Sequence, residues 1–375
     1  MKNKTEVIIF SNPFNHEGGI INYYKLYFNN FQSRHVKIVH MKIGSRMKFF
    51  YFKYLKVFLF GFYYLKDVFH YLIVLVSRKE IKIVQFSPSL IVVPIIRDSL
   101  PLIIAKIFNK KVIVFFRGWK LPLLNSIKNS KVKYYLFNLI FGSADRTFVL
   151  AKSFKKDLVD LGWNPERIFV TTTAIDKKFI LKSENRIDNK KIKFIFLGRV
   201  SRLKGIHELV EAFSLVRSEF YDLELSIAGH PDSEMDIEKL KMDCKNIKSI
   251  ENKIKFVGYL DGKKKYELLS GNDIYIFPSY SEGCPNSVLE ALGSGLFIIG
   301  TKVGALADII INKENGVFVA KKSVSDLIEK INWSIDHIKL IRERKKDIST
   351  DAIKKFDIRP ITKQFENTYL SILDK

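Results

Sequence analysis

A chain of 375 residues with 47% hydrophobic side chains is longer than one core usually organises and carries enough apolar material for two, which argues against a disordered protein. Its net charge of +24 calls for an acidic partner or tolerance of one. Nucleic acid, anionic lipid and phosphorylated substrates all qualify, and a genome that favours Lys, Ile, Asn and Phe would give the same number without any partner. The two cysteines, Cys244 and Cys284, lie far apart with no metal-ligand spacing. That fits a reducing compartment and argues against a disulfide framework or a zinc site.

In chain order, Val7–Phe10 is a short apolar run that reads as a buried strand, not as the longer core of a signal peptide. No stretch approaches the run of about 18 apolar residues that spans a bilayer, and a cytoplasmic protein is expected. The strands predicted for the first half are Val7–Ser11, Val36–His40, Ile81–Phe86, Lys111–Phe116, Arg146–Val149 and Ile168–Thr172. All are apolar and rich in β-branched or aromatic residues, as strands buried on both faces are. After the first strand comes Asn15-His16-Glu17-Gly18-Gly19; paired glycines allow a backbone to approach a phosphate, although a bare Gly-Gly is more often only a turn. Between Met47 and Lys79 the chain is dense in Phe, Tyr and Leu, interspersed with Lys48, Lys53, Lys56, Lys66 and Arg78. A cationic amphipathic helix pair lying on an anionic leaflet fits this composition, and so does a pair of core helices.

A polar linker is expected over 176–191. A second alternating series comes after it: Lys193–Leu197, Leu223–Ala228, Ile254–Val257, Ile274–Phe277, Phe297–Gly300 and Gly316–Val319, with helices between them such as Ile206–Arg217. The fold class this predicts is α/β: two Rossmann-like, doubly wound parallel-sheet domains facing a central cleft. The expected boundaries are 1–175 and 192–350, with a helical segment at 351–375 crossing back to the first domain. In open α/β sheets ligands bind beyond the carboxyl ends of the strands, and the chemistry is sought there.

Two loops stand out. Gly198-Arg199-Val200-Ser201-Arg202-Leu203-Lys204-Gly205 links a strand end to a helix, where unpaired N–H groups and two cations suit a diphosphate; a solvated basic loop would look the same. The segment Pro278-Ser279-Tyr280-Ser281-Glu282-Gly283-Cys284-Pro285-Asn286-Ser287-Val288-Leu289-Glu290 carries Glu282 in a turn, Pro285 suited to a first helical turn, and Glu290 on the same helix face as Asn286, about 6 Å further along. This geometry suits a nucleotide sugar: Glu282 for sugar hydroxyls, backbone N–H groups over Gly283–Ser287 for phosphate, Glu290 for ribose. Taken singly, either glutamate would most often be an exposed surface residue.

The spacing of Glu282 and Glu290, with Arg199 and Lys204 upstream, closely resembles glycosyltransferase family 4, retaining enzymes of the GT-B fold. The resemblance is strong over Lys193 to Val319 and holds in outline before it. It implies that Arg199 and Lys204 hold the diphosphate and offset charge on the departing nucleotide. It also implies that Glu282 contacts the donor sugar, Glu290 the ribose, and the backbone around Val257-Gly258-Tyr259 the base. Similar enzymes place a glycine-rich loop where Gly18 and Gly19 stand, against donor phosphates and acceptor. Two departures are visible: Arg117-Gly118-Trp119 follows the strand where the family often has a histidine, and Asp308 follows Gly304 where it has a glutamate. Arg117 could bind phosphate or an acidic sugar group, or pair with a carboxylate.

The reaction so implied takes a sugar from a nucleotide-diphosphate donor to a lipid-linked or saccharide acceptor, with attack on the face from which the leaving group departs. Fixed cations stabilise that leaving group, and neither metal nor cofactor is expected. A peripheral position on the inner face of the cell membrane and a role in surface polysaccharide assembly follow from the suspected membrane face. The alternatives are an epimerase of the same fold and a non-catalytic binder of nucleotide sugar or polyanion. No nucleic-acid module is recognisable.

Overall fold

The computed structural model describes residues 4–15, 18–43, 53–177, 190–216, 218–246 and 253–373. The chain divides into two compact units, Met1–Thr173 with Ile358–Lys375, and Ala174–Asp357. The first is built on a six-stranded parallel sheet of β1 (Thr5–Ser11), β2 (Val36–Lys42), β3 (Ile81–Phe86), β4 (Lys111–Phe115), β5 (Arg146–Val149) and β6 (Ile168–Val170). Their order is β2-β1-β3-β4-β5-β6. The second holds β7 (Lys191–Leu197), β8 (Asp222–Ala228), β9 (Ile254–Gly258), β10 (Ile274–Phe277), β11 (Phe297–Thr301) and β12 (Gly316–Val319), ordered β9-β8-β7-β10-β11-β12. Each expected strand forms, within a residue or two at its ends. The second order is that of a doubly wound sheet, whose direction of winding reverses between β7 and β10.

The strands form because their side chains are apolar on both faces: Val7–Phe10 and Phe194–Phe196 are at most 1% exposed. A short two-stranded pairing of Ser89–Leu90 with Gly118–Trp119 has no sequence signal, two residues being too few to show alternation. The helix expected over Ile206–Arg217 ends at Leu215, and Arg217 and most of the expected linker lie outside the described residues.

Two expectations are corrected. The helix Lys345–Phe356, which a boundary at 350/351 would cut, belongs whole to the second unit, because Ile348, Ala352 and Phe356 are buried in it. The crossing back is made by the helix Ile358–Leu373. Phe365 of that helix stacks on Phe148 with ring centroids 4.1 Å apart. Tyr369 donates a hydrogen bond to Gln85 Oε1 at 2.7 Å and lies 3.1 Å from the Tyr27 hydroxyl. Buried aromatics of this kind carry large apolar areas, and the polar tips find partners.

The second correction concerns Met47–Lys79. Residues 44–52 lie outside the described residues, and beyond them runs one continuous helix, Lys53–Ser77, not a pair. Within it Leu59–Ser77 is long and apolar enough, by length and composition, to cross a membrane. A count of unbroken apolar runs does not find it because Lys66 and Asp67 interrupt the run. One stripe of this helix, Val68, Tyr71 and Leu75, is buried in the first unit, where Tyr71 meets Phe10 edge-on at 4.9 Å. Phe62, Leu65, Phe69, Ile73 and Val76 on the other side are exposed.

Candidate functional site

In the second unit the carboxyl ends of β7, β8 and β9 are tied to one another by backbone alone. Gly198 donates its N–H to Ala228 O at 3.0 Å, Val200 to His230 O at 2.8 Å, and Gly229 to Gly258 O at 2.8 Å. The approach is so close that a Cβ at Gly229, where φ is +140°, would lie 1.7 Å from the Gly198 carbonyl oxygen. Only glycine fits there. Beside this knot Tyr259 stacks on His230 with centroids 4.3 Å apart, while Gly258 has nothing within 4 Å of the position a Cβ would take. Gly229 and His230 are not legible in the sequence, since no spacing pattern marks them.

The basic loop is seated on the strand β10. Arg202–Lys204 forms a single 3-10 turn closed by Gly205 at φ +72°, where a Cβ would meet the Pro278 carbonyl oxygen at 2.4 Å. Tyr280 donates its N–H to Leu203 O at 3.0 Å. The turn therefore delivers Lys204 directly to Glu282, and the ammonium donates to Oε1 of that carboxylate. Ser279 Oγ donates to the same oxygen at 2.6 Å. Lys204 and Glu282, expected to serve phosphate and sugar separately, are partners of each other. Arg199 reaches Asp232 at 3.3 Å with its side chain 67% exposed. A pair so exposed is worth little and leaves the guanidinium free to move.

The helix Asn286–Gly293 begins with Pro285 as its N-cap, one position earlier than its expected place in the first turn. Gly283 offers its carbonyl to the Ala305 N–H at 2.8 Å. Cys284 and Asn286 are both half-buried. The Ser287 hydroxyl lies 2.8 Å from that of the buried Tyr275, which reaches Leu197 O at 2.6 Å. Ser287 is thus built into the support of the site. Glu290 accepts a hydrogen bond from Lys265 Nζ at 2.7 Å. Burial pushes the Glu290 carboxyl up, and Lys265 and Tyr266 act against that rise. Lys265 comes from the helix Gly262–Ser270; in the sequence it is one of three consecutive lysines and nothing links it to Glu290. Asp308 lies in the short helix Leu306–Ile309. Among the described residues no group of three or more His, Cys, Asp or Glu is placed to hold a metal ion.

In the first unit, Gly18 caps the helix Gly19–Asn30 beyond the end of β1 and has open space where a Cβ would stand. His16 and Glu17 lie outside the described residues. Arg117, just past β4, is 6% exposed; among the described residues it makes no pair with a carboxylate.

Two parallel-sheet units of this construction define the GT-B class. Anabaena HepE, solved in complex with UDP, matches over 98% of this chain and 100% of its own with a TM-score of 0.72 at 16% identity. Residues 177–354, nearly the whole of the second unit, match the family model described as Glycosyl transferases group 1. Among curated relatives, the N,N'-diacetylbacillosaminyl-diphospho-undecaprenol alpha-1,3-N-acetylgalactosaminyltransferase of Campylobacter jejuni is 25% identical over 262 residues, 68% of this chain and 66% of its own. The capsular polysaccharide biosynthesis glycosyltransferase CapM of Staphylococcus aureus is 24% identical over 269 residues, 68% of this chain and 69% of its own. The chain spans a little over half the length of the first curated relatives it matches.

Proposed function

We propose that this protein is a retaining hexosyltransferase of glycosyltransferase family 4. It would move a sugar from a nucleotide-diphosphate donor to a lipid-linked or saccharide acceptor during surface polysaccharide assembly. The observation that carries the reading is the pairing of Lys204 with Glu282 and of Lys265 with Glu290 at the strand ends of the domain that matches the glycosyltransferase model. Two carboxylates that recognise sugar and ribose hydroxyls are held ready by cations until hydroxyls replace them. Arg199, weakly held, and Lys204, once released from Glu282, offset the charge that grows on the leaving diphosphate. Two such cations meet that need without a metal. Gly258 and the stacked His230 and Tyr259 offer a flat surface for the base. Attack from the leaving-group side lets the departing phosphate take the acceptor proton, and Glu290 remains with the ribose.

Support for the donor comes from HepE, solved with UDP, and for the acceptor from relatives named for an undecaprenol diphosphate and for capsule synthesis. A position on the inner face of the cell membrane is supported by the exposed apolar residues of the first unit. Phe69 and Ile73 stand on the helix Lys53–Ser77, Val93 and Ile96 on Val92–Ile107, and Tyr135 and Leu136 on Lys131–Ile140. Lys66, Lys131 and Lys133 are exposed on the same helices, a combination suited to an anionic leaflet.

A thermal-shift screen of nucleoside diphosphates and their sugars tests the reading, with Arg199→Ala and Glu290→Ala as controls. A ligand at a hundred times its Kd should stabilise by about 2.7 kcal/mol. One nucleotide sugar shifting wild type and neither variant, with transfer to acceptor giving a retained anomer, is the expected result. Silence of wild type toward every nucleotide refutes it, turnover without acceptor points to an epimerase, and binding without turnover points to a non-catalytic protein.

A further inference from the structure

Arg117 is pinned at the carboxyl end of β4, where ligands of parallel sheets bind. Its N–H donates to Pro88 O at 2.8 Å. The next residue, Gly118, packs so closely on Ser89 that a Cβ there would lie 2.7 Å from Ser89 Oγ. Held this way, the side chain turns inward and stacks: the guanidinium carbon is 3.9 Å from the Tyr23 ring centroid and 4.5 Å from that of Phe115. Yet Nε and Nη1 are buried with no hydrogen-bond acceptor, and among the described residues no carboxylate pairs with it. Asp98, fully buried in the same unit, is committed to Arg97 through bonds of 2.6 and 3.0 Å.

A guanidinium stays charged wherever it is placed. Buried without an acceptor it is costly, and stacking on aromatic faces recovers only part of that cost. A side chain that lacked a ligand would sit better as an uncharged residue, so the missing partner has a definite chemistry: an oxygen anion. We propose that Arg117 binds an oxyanion of the sugar substrate, a carboxylate or a phosphate, and so makes the enzyme selective for an acidic or phosphorylated sugar. Arg117 belongs to the first unit, whereas Arg199 and Lys204 belong to the second, and the proposal rests on the glycosyltransferase reading for calling the ligand a substrate.

The test measures binding by calorimetry to the full chain as wild type, Arg117→Gln and Arg117→Met. UDP and GDP report the nucleotide site. UDP-glucuronate against UDP-glucose, and GDP-mannuronate against GDP-mannose, probe an acidic donor. Methyl glucuronide against methyl glucoside, and N-acetylglucosamine 1-phosphate against N-acetylglucosamine, probe an acidic acceptor with and without nucleotide. The expected result is that wild type prefers the anionic member of at least one pair by about tenfold or more, as a charge-assisted hydrogen bond confers. Both variants should lose that preference and bind nucleoside diphosphate as wild type does. The pair that discriminates tells donor from acceptor. Equal binding within each pair by wild type, or a preference that survives in the variants, overturns the proposal. Failure of wild type to bind any nucleoside diphosphate overturns the glycosyltransferase reading, and the acceptor pairs without nucleotide still judge Arg117. Should Arg117→Gln fail to fold, Arg117→Met, apolar and of similar length, carries the comparison.

Discussion

Gly229→Ala tests whether the backbone knot at the ends of β7, β8 and β9 is what positions the proposed nucleotide site. The new methyl would stand 1.7 Å from the Gly198 carbonyl oxygen, where ordinary contact begins at 3.4 Å, so the two segments must separate by about 1.7 Å. Holding alanine at φ +140° adds roughly 1–3 kcal/mol of strain. Separation also loosens the Gly198-to-Ala228 and Val200-to-His230 hydrogen bonds, at about 1 kcal/mol each. The expected loss is about 3–5 kcal/mol of stability. Because Arg199 lies between the two displaced amides, a shift of this size should also weaken nucleotide-sugar binding on the order of a hundredfold. Gly262→Ala is the control: φ is +48° there with nothing within 4 Å of the new methyl, so only the left-handed strain of about 1–2 kcal/mol applies. Urea denaturation and calorimetric titration with the donor read both effects. If Gly229→Ala matches Gly262→Ala in stability and affinity, the knot does not position the site and the reasoning fails.

Lys204→Ala should cost about 1–3 kcal/mol by stranding the Glu282 carboxylate; adding Glu282→Gln should restore much of the stability but none of the transfer rate, as denaturation and initial rates would reveal. Burial acts to raise the Glu224 carboxyl, but hydrogen bonds and charge from Lys191 and Lys255 prevail and hold it at about 2. A depressed carboxylate contributes stability above its unfolded pKa near 4.5 and loses it as pH falls toward 2, so Glu224→Gln should lower the melting temperature at pH 6 and leave it unchanged near pH 2. Tyr369→Phe leaves Gln85 Oε1 and the Tyr27 hydroxyl short of a partner and should destabilise by about 1–3 kcal/mol in a melt. Phe69→Asp with Ile96→Asp and Tyr135→Asp should abolish sedimentation with phosphatidylglycerol vesicles while nucleotide binding persists; unchanged sedimentation would remove the membrane reading.

Much is legible in the sequence because it is local. Val7–Ser11 and Ile274–Phe277 announce themselves as strands by unbroken apolar composition, and Gly205 and Pro285 mark a loop end and a helix start by turn chemistry within a few residues. The spacing of Glu282 and Glu290 is likewise a property of consecutive residues on one turn and one helix. The long apolar helix Leu59–Ser77 hides from a count of apolar runs because two charges interrupt a stretch that as a whole remains apolar. What only the tertiary structure decided is which side chains meet. That Lys204 pairs with Glu282, that Lys265 rather than solvent faces Glu290, that Gly229 must lack a side chain, and that Arg117 finds no carboxylate among the described residues all depend on how strands distant in the chain lie side by side. The register of β7 against β8 and the turn of each crossover fix those meetings. No stretch of consecutive residues records them, because a charge near the surface costs nearly the same wherever it stands until burial gives it a particular neighbour.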